Sequence, residues 1–261
     1  VVDLDLSSGA LTAKAYGKTE VTVTENESGV SRTCEITVRD STSVMDNIVI
    51  SVPLWRDSYY TTAEQFQWLK EAGVNVVEKL HNLDTKSATD DTGLAHVRKM
   101  MELALDTWTE DEEGLYVQIL TGQIENALLD ATDEGIRSVA ERFTNYGALL
   151  GFHVKDEPGG YANNYARVIR LLAESSDPNQ MAMINFLPGT SYANVTDFAA
   201  LLQNAQKQSY LSFDAYPFPA NSDGVDEATL FSNFDTFRRA SLATGMKTGF
   251  YVQATGLSPG G

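Results

Sequence analysis

Positive charge is scarce in this sequence. Lys and Arg number 19 against 36 Asp and Glu, which gives a formal charge of −17, and only 3 His are present to titrate near neutrality. A surface this negative repels a phosphate backbone, which excludes nucleic acid and anionic membrane surfaces as natural partners and favours a neutral or cationic ligand. The acids are spread over many segments rather than gathered in a tail, as on the solvated surface of an exported protein. Cysteine is scarcer still. Cys34 stands alone, so no intrachain disulfide is possible. It lies in the strand-like run Cys34-Glu35-Ile36-Thr37-Val38 with no neighbouring His, and reads as a small buried hydrophobe rather than a nucleophile. No apolar run approaches the roughly 18 residues of a membrane span, and no signal peptide is recognisable. What is present is ordinary globular composition: 43% apolar and 21% charged residues in a chain of 261. That suffices for one large core and a smaller companion domain.

The first 40 residues differ in texture from the rest. Thr19-Glu20-Val21-Thr22-Val23-Thr24 and Cys34-Glu35-Ile36-Thr37-Val38-Arg39 alternate β-branched and polar residues, the signature of half-buried antiparallel strands. Glu25-Asn26-Glu27-Ser28-Gly29 supplies the turn between them. A further short strand fits the stretch from Ser8 to Gly17. The series Gly-x-Leu-Thr-Ala-Lys-Ala-x-Gly, Val-Thr-Val-Thr and Cys-Glu-Ile-Thr-Val resembles the C-terminal half of a bacterial immunoglobulin-like domain of group 2. The resemblance implies a small all-β spacer fragment over residues 1–40, with 41–46 as a linker.

From Asn47 the period changes to short apolar runs separated by amphipathic stretches, the mark of repeated βα units. Seven strands are predicted: Ile48 to Val52, Val74 to Leu80, Leu115 to Leu120, Leu149 to Val154, Met181 to Phe186, Tyr210 to Ala215 and Thr248 to Val252. Helices are predicted over Thr62 to Gly73, Gly93 to Asp106, Asp133 to Tyr146, Asn163 to Glu174, Val195 to Gln208 and Glu227 to Thr244. In the first of these Thr62 can cap, Gly73 can terminate, and Trp68 reads as a core residue beside Leu69. The spacing suits a (β/α)8 TIM barrel of roughly 250 residues, occupying 47–261. A doubly wound sheet is the rival, but no Gly-x-Gly-x-x-Gly turn follows the first strand. Seven strands are one short of closure, so the expectation is a barrel incomplete at its C-terminus.

In such barrels the chemistry gathers at the C-terminal ends of the strands. Those ends carry Trp55 and Arg56 at strand one, Glu78, His81 and Asn82 at strand two, and His153, Lys155, Asp156 and Glu157 at strand four. Asn185 ends strand five, Asp214 and Tyr216 strand six, and Gln253 strand seven. The set is rich in carboxylates, amides and aromatics. It offers no Ser/His/Asp order and no His-x-His at strand one, so neither nucleophilic serine chemistry nor a metal centre is expected, and no cofactor. Carboxylates among amides and aromatic rings are what glycoside hydrolysis requires: one acid protonates the leaving oxygen, a second carboxylate attacks or activates water, and the other groups hold the sugar.

Leu149-Leu150-Gly151-Phe152-His153-Val154-Lys155-Asp156-Glu157-Pro158 resembles the fourth-strand motif of the clan A glycoside hydrolases, in which the Glu is the acid/base. Ile184-Asn185-Phe186-Leu187-Pro188 and Ser212-Phe213-Asp214-Ala215-Tyr216-Pro217-Phe218 follow in barrel order, as in a bacterial group with Asp-Glu-Pro at strand four. The resemblance implies a glycosidase acting on a carbohydrate outside the cell or at the bacterial surface. Glu157 would be the acid/base and Asp214 the weaker candidate for a second carboxylate. Asp156, Asn185, Tyr216, Trp55, Gln253 and Asn82 would bind sugar. Two alternatives stand beside these roles: Asn185 as a loop cap, and His153 as a hydrogen-bonded core residue. One departure matters. The clan places its nucleophilic Glu at strand seven, where this chain has the neutral Gln253, which leaves a non-catalytic carbohydrate-binding barrel as the alternative to hydrolysis.

Overall fold

The computed structural model describes residues 2–15, 17–38, 48–53, 61–79, 91–120, 132–143, 146–158, 165–175, 180–205, 209–218 and 224–252. The chain gathers into two compact units, one of residues 1–119 and 143–150, the other of 120–142 and 151–261.

The first unit opens with two antiparallel hairpins. β1 (Val2–Leu4) pairs with β2 (Leu11–Ala13), and β3 (Gly17–Thr24) with β4 (Ser31–Val38). In the second pair Val21 stands opposite Cys34. Burial along β3 alternates as its sequence does, but only to an intermediate degree, and Cys34 is exposed rather than buried. Across the ladder its neighbour is a half-exposed valine on a sheet of two strands, which is too narrow to cover both faces of either strand.

The same unit holds β5 (Ser51–Pro53), α1 (Ala63–Glu71), β6 (Val76–Lys79), α2 (Asp91–Leu105) and β7 (Tyr116–Ile119). Thr62 caps α1 by accepting from the Gln65 amide, and Gly73 follows the helix with φ 84°, a left-handed turn that glycine takes without strain. Trp68 is exposed, against the core position expected for it. The buried residue of α1 is Phe66, and two residues at about 100° each carry Trp68 to the opposite side of the helix. β5, β6 and β7 pair in parallel, with Val76, Val77 and all of β7 buried.

α3 (Asp133–Phe143) leads into β8 (Leu149–Asp156), which begins in the first unit and runs on into the second. The second unit continues with α4 (Ala166–Ser175), β9 (Met181–Phe186), α5 (Tyr192–Asn204), β10 (Tyr210–Asp214), α6 (Glu227–Thr244) and β11 (Lys247–Tyr251). β8, β9, β10 and β11 pair in parallel. Strand order across the sheet is β5-β6-β7-β8-β9-β10-β11, the order of the sequence. It never reverses, so there is no switch point at which a doubly wound sheet would place its ligand. Among the described residues no strand joins β11 to β5.

Aromatic packing identifies the helix-facing side of β9 and β10. Phe186 meets Phe198 of α5 at 5.5 Å and Phe237 of α6 at 5.7 Å, and Phe213 stacks on Phe237 at 4.5 Å. Alternate residues along a strand point to opposite faces. Met183 and Asn185 on β9, and Ser212 and Asp214 on β10, therefore share the face away from the helices.

Candidate active site

Parallel strands put side chains of paired residues on the same face, so register decides what can meet at the strand ends. β8 pairs Gly151 with Met181, Phe152 with Ala182 and His153 with Met183, then Lys155 with Ile184 and Asp156 with Asn185. Val154 is an extra residue, a β-bulge. Regular alternation from His153 would send Asp156 to the helix side. The bulge returns it to the side of His153, whose Nε2 lies 4.0 Å from Asp156 Oδ1. Gly151 is required in this strand, because a Cβ there would overlap the backbone carbonyl oxygen and nitrogen of Met181.

Asn185 joins three strands at this end of the sheet. Its Nδ2 donates to Asp156 Oδ1 at 3.2 Å, its Oδ1 accepts from Ser212 Oγ at 3.0 Å, and its backbone carbonyl accepts from the Glu157 amide at 2.8 Å. All three bonds join Asn185 to neighbouring strands of the protein. Ser212 is a partner that the sequence analysis did not single out, although its place two residues before Asp214 puts both on one face. Tyr251 was missed as well; it stands opposite Asp214 in the β10–β11 register. Behind β9, the buried Asn233 of α6 accepts from the Gly189 amide at 2.9 Å and donates to the Thr229 carbonyl at 2.7 Å, which fixes the segment that follows Asn185.

Glu157 leaves β8 with φ 49°, the only non-glycine residue with a positive φ among the described residues. A side chain in this left-handed region is uncommon and costs on the order of 1 kcal/mol or more. Pro158 follows, and the Asn185 carbonyl holds the Glu157 amide, so the conformation is imposed from outside. Its carboxyl is exposed and comes within hydrogen-bonding reach of Asp214. Asp214 is 3% exposed. Burial, the hydrogen-bonding contact with Glu157 and the charges of Glu157 and Asp156 push its carboxyl up to about 7. Tyr216 is half-exposed, and burial together with the charge and hydrogen bond of Asp214 pushes its phenol up to about 12. Asp214 Oδ1 keeps no hydrogen-bond partner among the described residues.

Six sequence-selected residues, His153, Asp156, Glu157, Asn185, Asp214 and Tyr216, thus come together in the second unit. His153 is buried, with Nε2 3.1 Å from the Lys155 carbonyl, as expected of a hydrogen-bonded core residue. Glu78 belongs to the first unit, where it is buried and accepts from Ser51 Oγ at 2.6 Å. Trp55, Asn82 and Gln253, along with Arg56 and His81, lie outside the described residues.

The sequence matches no family model and no curated protein sequence. Solved structures do resemble it. The carboxyl transferase domain of Rhizobium etli pyruvate carboxylase aligns with TM-score 0.51 and 13% identity over 80% of this chain and 36% of that one. Thermobacillus composti GH10 xylanase aligns with TM-score 0.50 and 12% identity over 83% and 72%. Pseudomonas stutzeri endoglucanase Cel5A, solved with cellobiose, aligns with TM-score 0.39 and 13% identity over 74% and 75%. The first two are TIM-barrel proteins of different chemistry, so what these likenesses establish is the fold, an α/β chain with the winding of a TIM barrel.

Proposed function

We propose that this chain is a glycoside hydrolase that acts on a glycan outside the cell through carboxylate acid/base catalysis, with Glu157 as the acid. The observation that carries the reading is the Glu157–Asp214 pair: two carboxyls from the ends of β8 and β10, in hydrogen-bonding contact, one of them raised to about 7. Such a pair holds a proton near neutrality, which is what protonating a glycosidic oxygen demands. The strained backbone at Glu157 supports the same assignment, since strain of this kind concentrates where function requires it.

The raised carboxyl also bears on the role of Asp214. Asp214, whose carboxyl is raised to about 7 beside Glu157, is assigned to the proton side of the reaction, and attack on the opposite sugar face to another residue. Asp156 and Tyr216, beside the pair, would hold the sugar. The N-terminal hairpins then belong to an immunoglobulin-like spacer of a protein working at the bacterial surface.

The test is release of reducing ends from a panel of plant, fungal and bacterial glycans by the wild-type chain and by Glu157→Gln. Loss of release from every responsive glycan is expected; unchanged release in the variant would overturn the assignment. Gln253, where the clan has its nucleophile, favours one second reading, a barrel that binds carbohydrate without cutting it. Binding with no product in the same panel would select that reading.

A further inference from the structure

Asp156, Asn185 and Ser212 lie side by side on β8, β9 and β10, in register and on one face of the sheet. Their hydrogen bonds have a fixed polarity. A carboxylate only accepts, so the Asn185 amide turns its Nδ2 to Asp156 Oδ1, at 3.2 Å, and its own Oδ1 then faces β10. An alkyl group there would leave that buried oxygen unpaired; the Ser212 hydroxyl, 3.0 Å away, donates to it. The proton of Ser212 thereby decides which way a buried amide points on the next strand. His153 Nε2 stands 4.0 Å from the same oxygen of Asp156, beyond hydrogen-bonding distance, whereas Asn185 is within it.

Ser212 is built as a support rather than a ligand contact. It is 1% exposed and Asn185 only 3%, whereas the Asp156 side chain is 23% exposed. Its own place is fixed from the opposite side of the strand, where Phe213 stacks on Phe237 at 4.5 Å and meets Phe234 edge-on at 5.3 Å. Asn185 works through two separate arms. Its side chain reaches Asp156, while its backbone carbonyl holds the Glu157 amide, so a change at Ser212 disturbs the first arm and leaves the second in place.

We propose that Ser212 is a positioning residue for substrate binding: acting through Asn185, it holds the Asp156 carboxylate in the orientation that grips the sugar, and touches neither sugar nor carboxylate itself. The inference rests on the reading of this face as a glycan site with Asp156 among its sugar contacts. Without the Ser212 hydroxyl, the Asn185 oxygen is buried without its donor, and relief of that oxygen requires a turn of the amide that takes Nδ2 away from Asp156. The loss falls on binding and not on the chemical step, because Glu157 is held by the backbone arm.

The experiment compares the wild type with Ser212→Ala, Ser212→Cys, which keeps the size but donates poorly, and Ser212→Thr, which keeps the hydroxyl. Asp156→Ala, alone and combined with Ser212→Ala, completes the set, with thermal melting reporting that each variant is folded. NMR of the side-chain carboxyl and amide groups at one fixed pH is read first, with no glycan added. Ser212→Ala and Ser212→Cys are expected to move the Asp156 carboxyl and Asn185 amide resonances, and Ser212→Thr to restore them. Kinetics on xylo-oligosaccharides and cello-oligosaccharides are read second. KM should rise about three- to tenfold in Ser212→Ala with kcat changed less than about twofold, and Ser212→Ala should add nothing once Asp156 is alanine. Asp156 resonances unmoved in both Ser212→Ala and Ser212→Cys, a KM within about twofold of the wild type, or equal losses with and without Asp156 would overturn the proposal. Cleavage with no effect of Ser212 retains the hydrolase and overturns the positioning role. If neither series is cleaved, the hydrolase reading falls and the same ratios are read as calorimetric dissociation constants; if neither is bound, the positioning role falls with the glycan site.

Discussion

Asp156 faces Asn185 because Val154 is bulged out of β8, and the 3.2 Å bond between their side chains ties the carboxylate beside Glu157 to the next strand. Three strands depend on that one buried amide. Asn185→Ala removes one donor from Asp156 and leaves the buried Ser212 hydroxyl without its acceptor, and a buried polar group left unsatisfied costs about 1–3 kcal/mol. Urea denaturation is expected to show a loss of that size. Asn185→Asp, which sets a second carboxylate against Asp156, should be less stable than Asn185→Ala above pH 6 and no worse below pH 4.

Asp214 makes stability depend on pH in a defined direction. Its carboxyl is raised from 3.8 to about 7, so between those values the folded chain binds more protons than the unfolded one. Stability from this group is therefore largest at the acid end of the window and is lost as pH rises towards 7. Asp214→Asn should flatten that slope and gain on the wild type at pH 8, as read from melting temperatures across pH 4–8. The wild-type cleavage rate should fall above about pH 7 as the shared proton leaves, and the same variant should displace that limb.

Replacing Glu157 should separate stability from function. At φ 49° a glycine carries no steric cost, so Glu157→Gly should match or exceed the stability of Glu157→Ala by up to about 1 kcal/mol while both lack cleavage. Guanidinium denaturation of the two variants side by side checks the difference; a clear deficit for the glycine variant would count against backbone strain at this residue.

Gly151 should tolerate nothing larger. The methyl group of Gly151→Ala meets the Met181 backbone, not the end of a mobile side chain, so the strands must separate. A loss on the order of 1–3 kcal/mol in denaturant midpoint is expected. The Asp156–Asn185 pairing lies further along the same two strands, so weakened glycan binding should accompany it.

Much of this architecture was legible before any coordinates. β9 runs from Met181 to Phe186 and α6 from Glu227 to Thr244 as their apolar patterns predicted, because a continuous buried run and a well-capped amphipathic run leave little choice of limits. Strand order followed from βα repetition. Trp68 and Cys34 were misplaced for a common reason: each was judged by its own apolarity, whereas exposure was decided by the face of a helix and the narrowness of a sheet. Glu157, Asp156 and Asp214 were found from strand ends and motifs. Their relation was not, since an alternating reading of β8 contains no sign of a bulge at Val154, and no single residue of Ser212 or Tyr251 announces a partner on another strand.

The sequential strand order also sets a timetable. Each parallel pairing in the second unit joins chain neighbours and closes a loop no longer than one βα unit, for which the entropic cost is modest and the contact order low. Glu157 and Asp214 are the exception, because β9 stands between their strands. Their contact is formed only once two successive pairings are in place. The carboxyl pair is therefore late to assemble during folding, and its ionisation, followed by a spectroscopic probe of Asp214, would record the final step of that assembly.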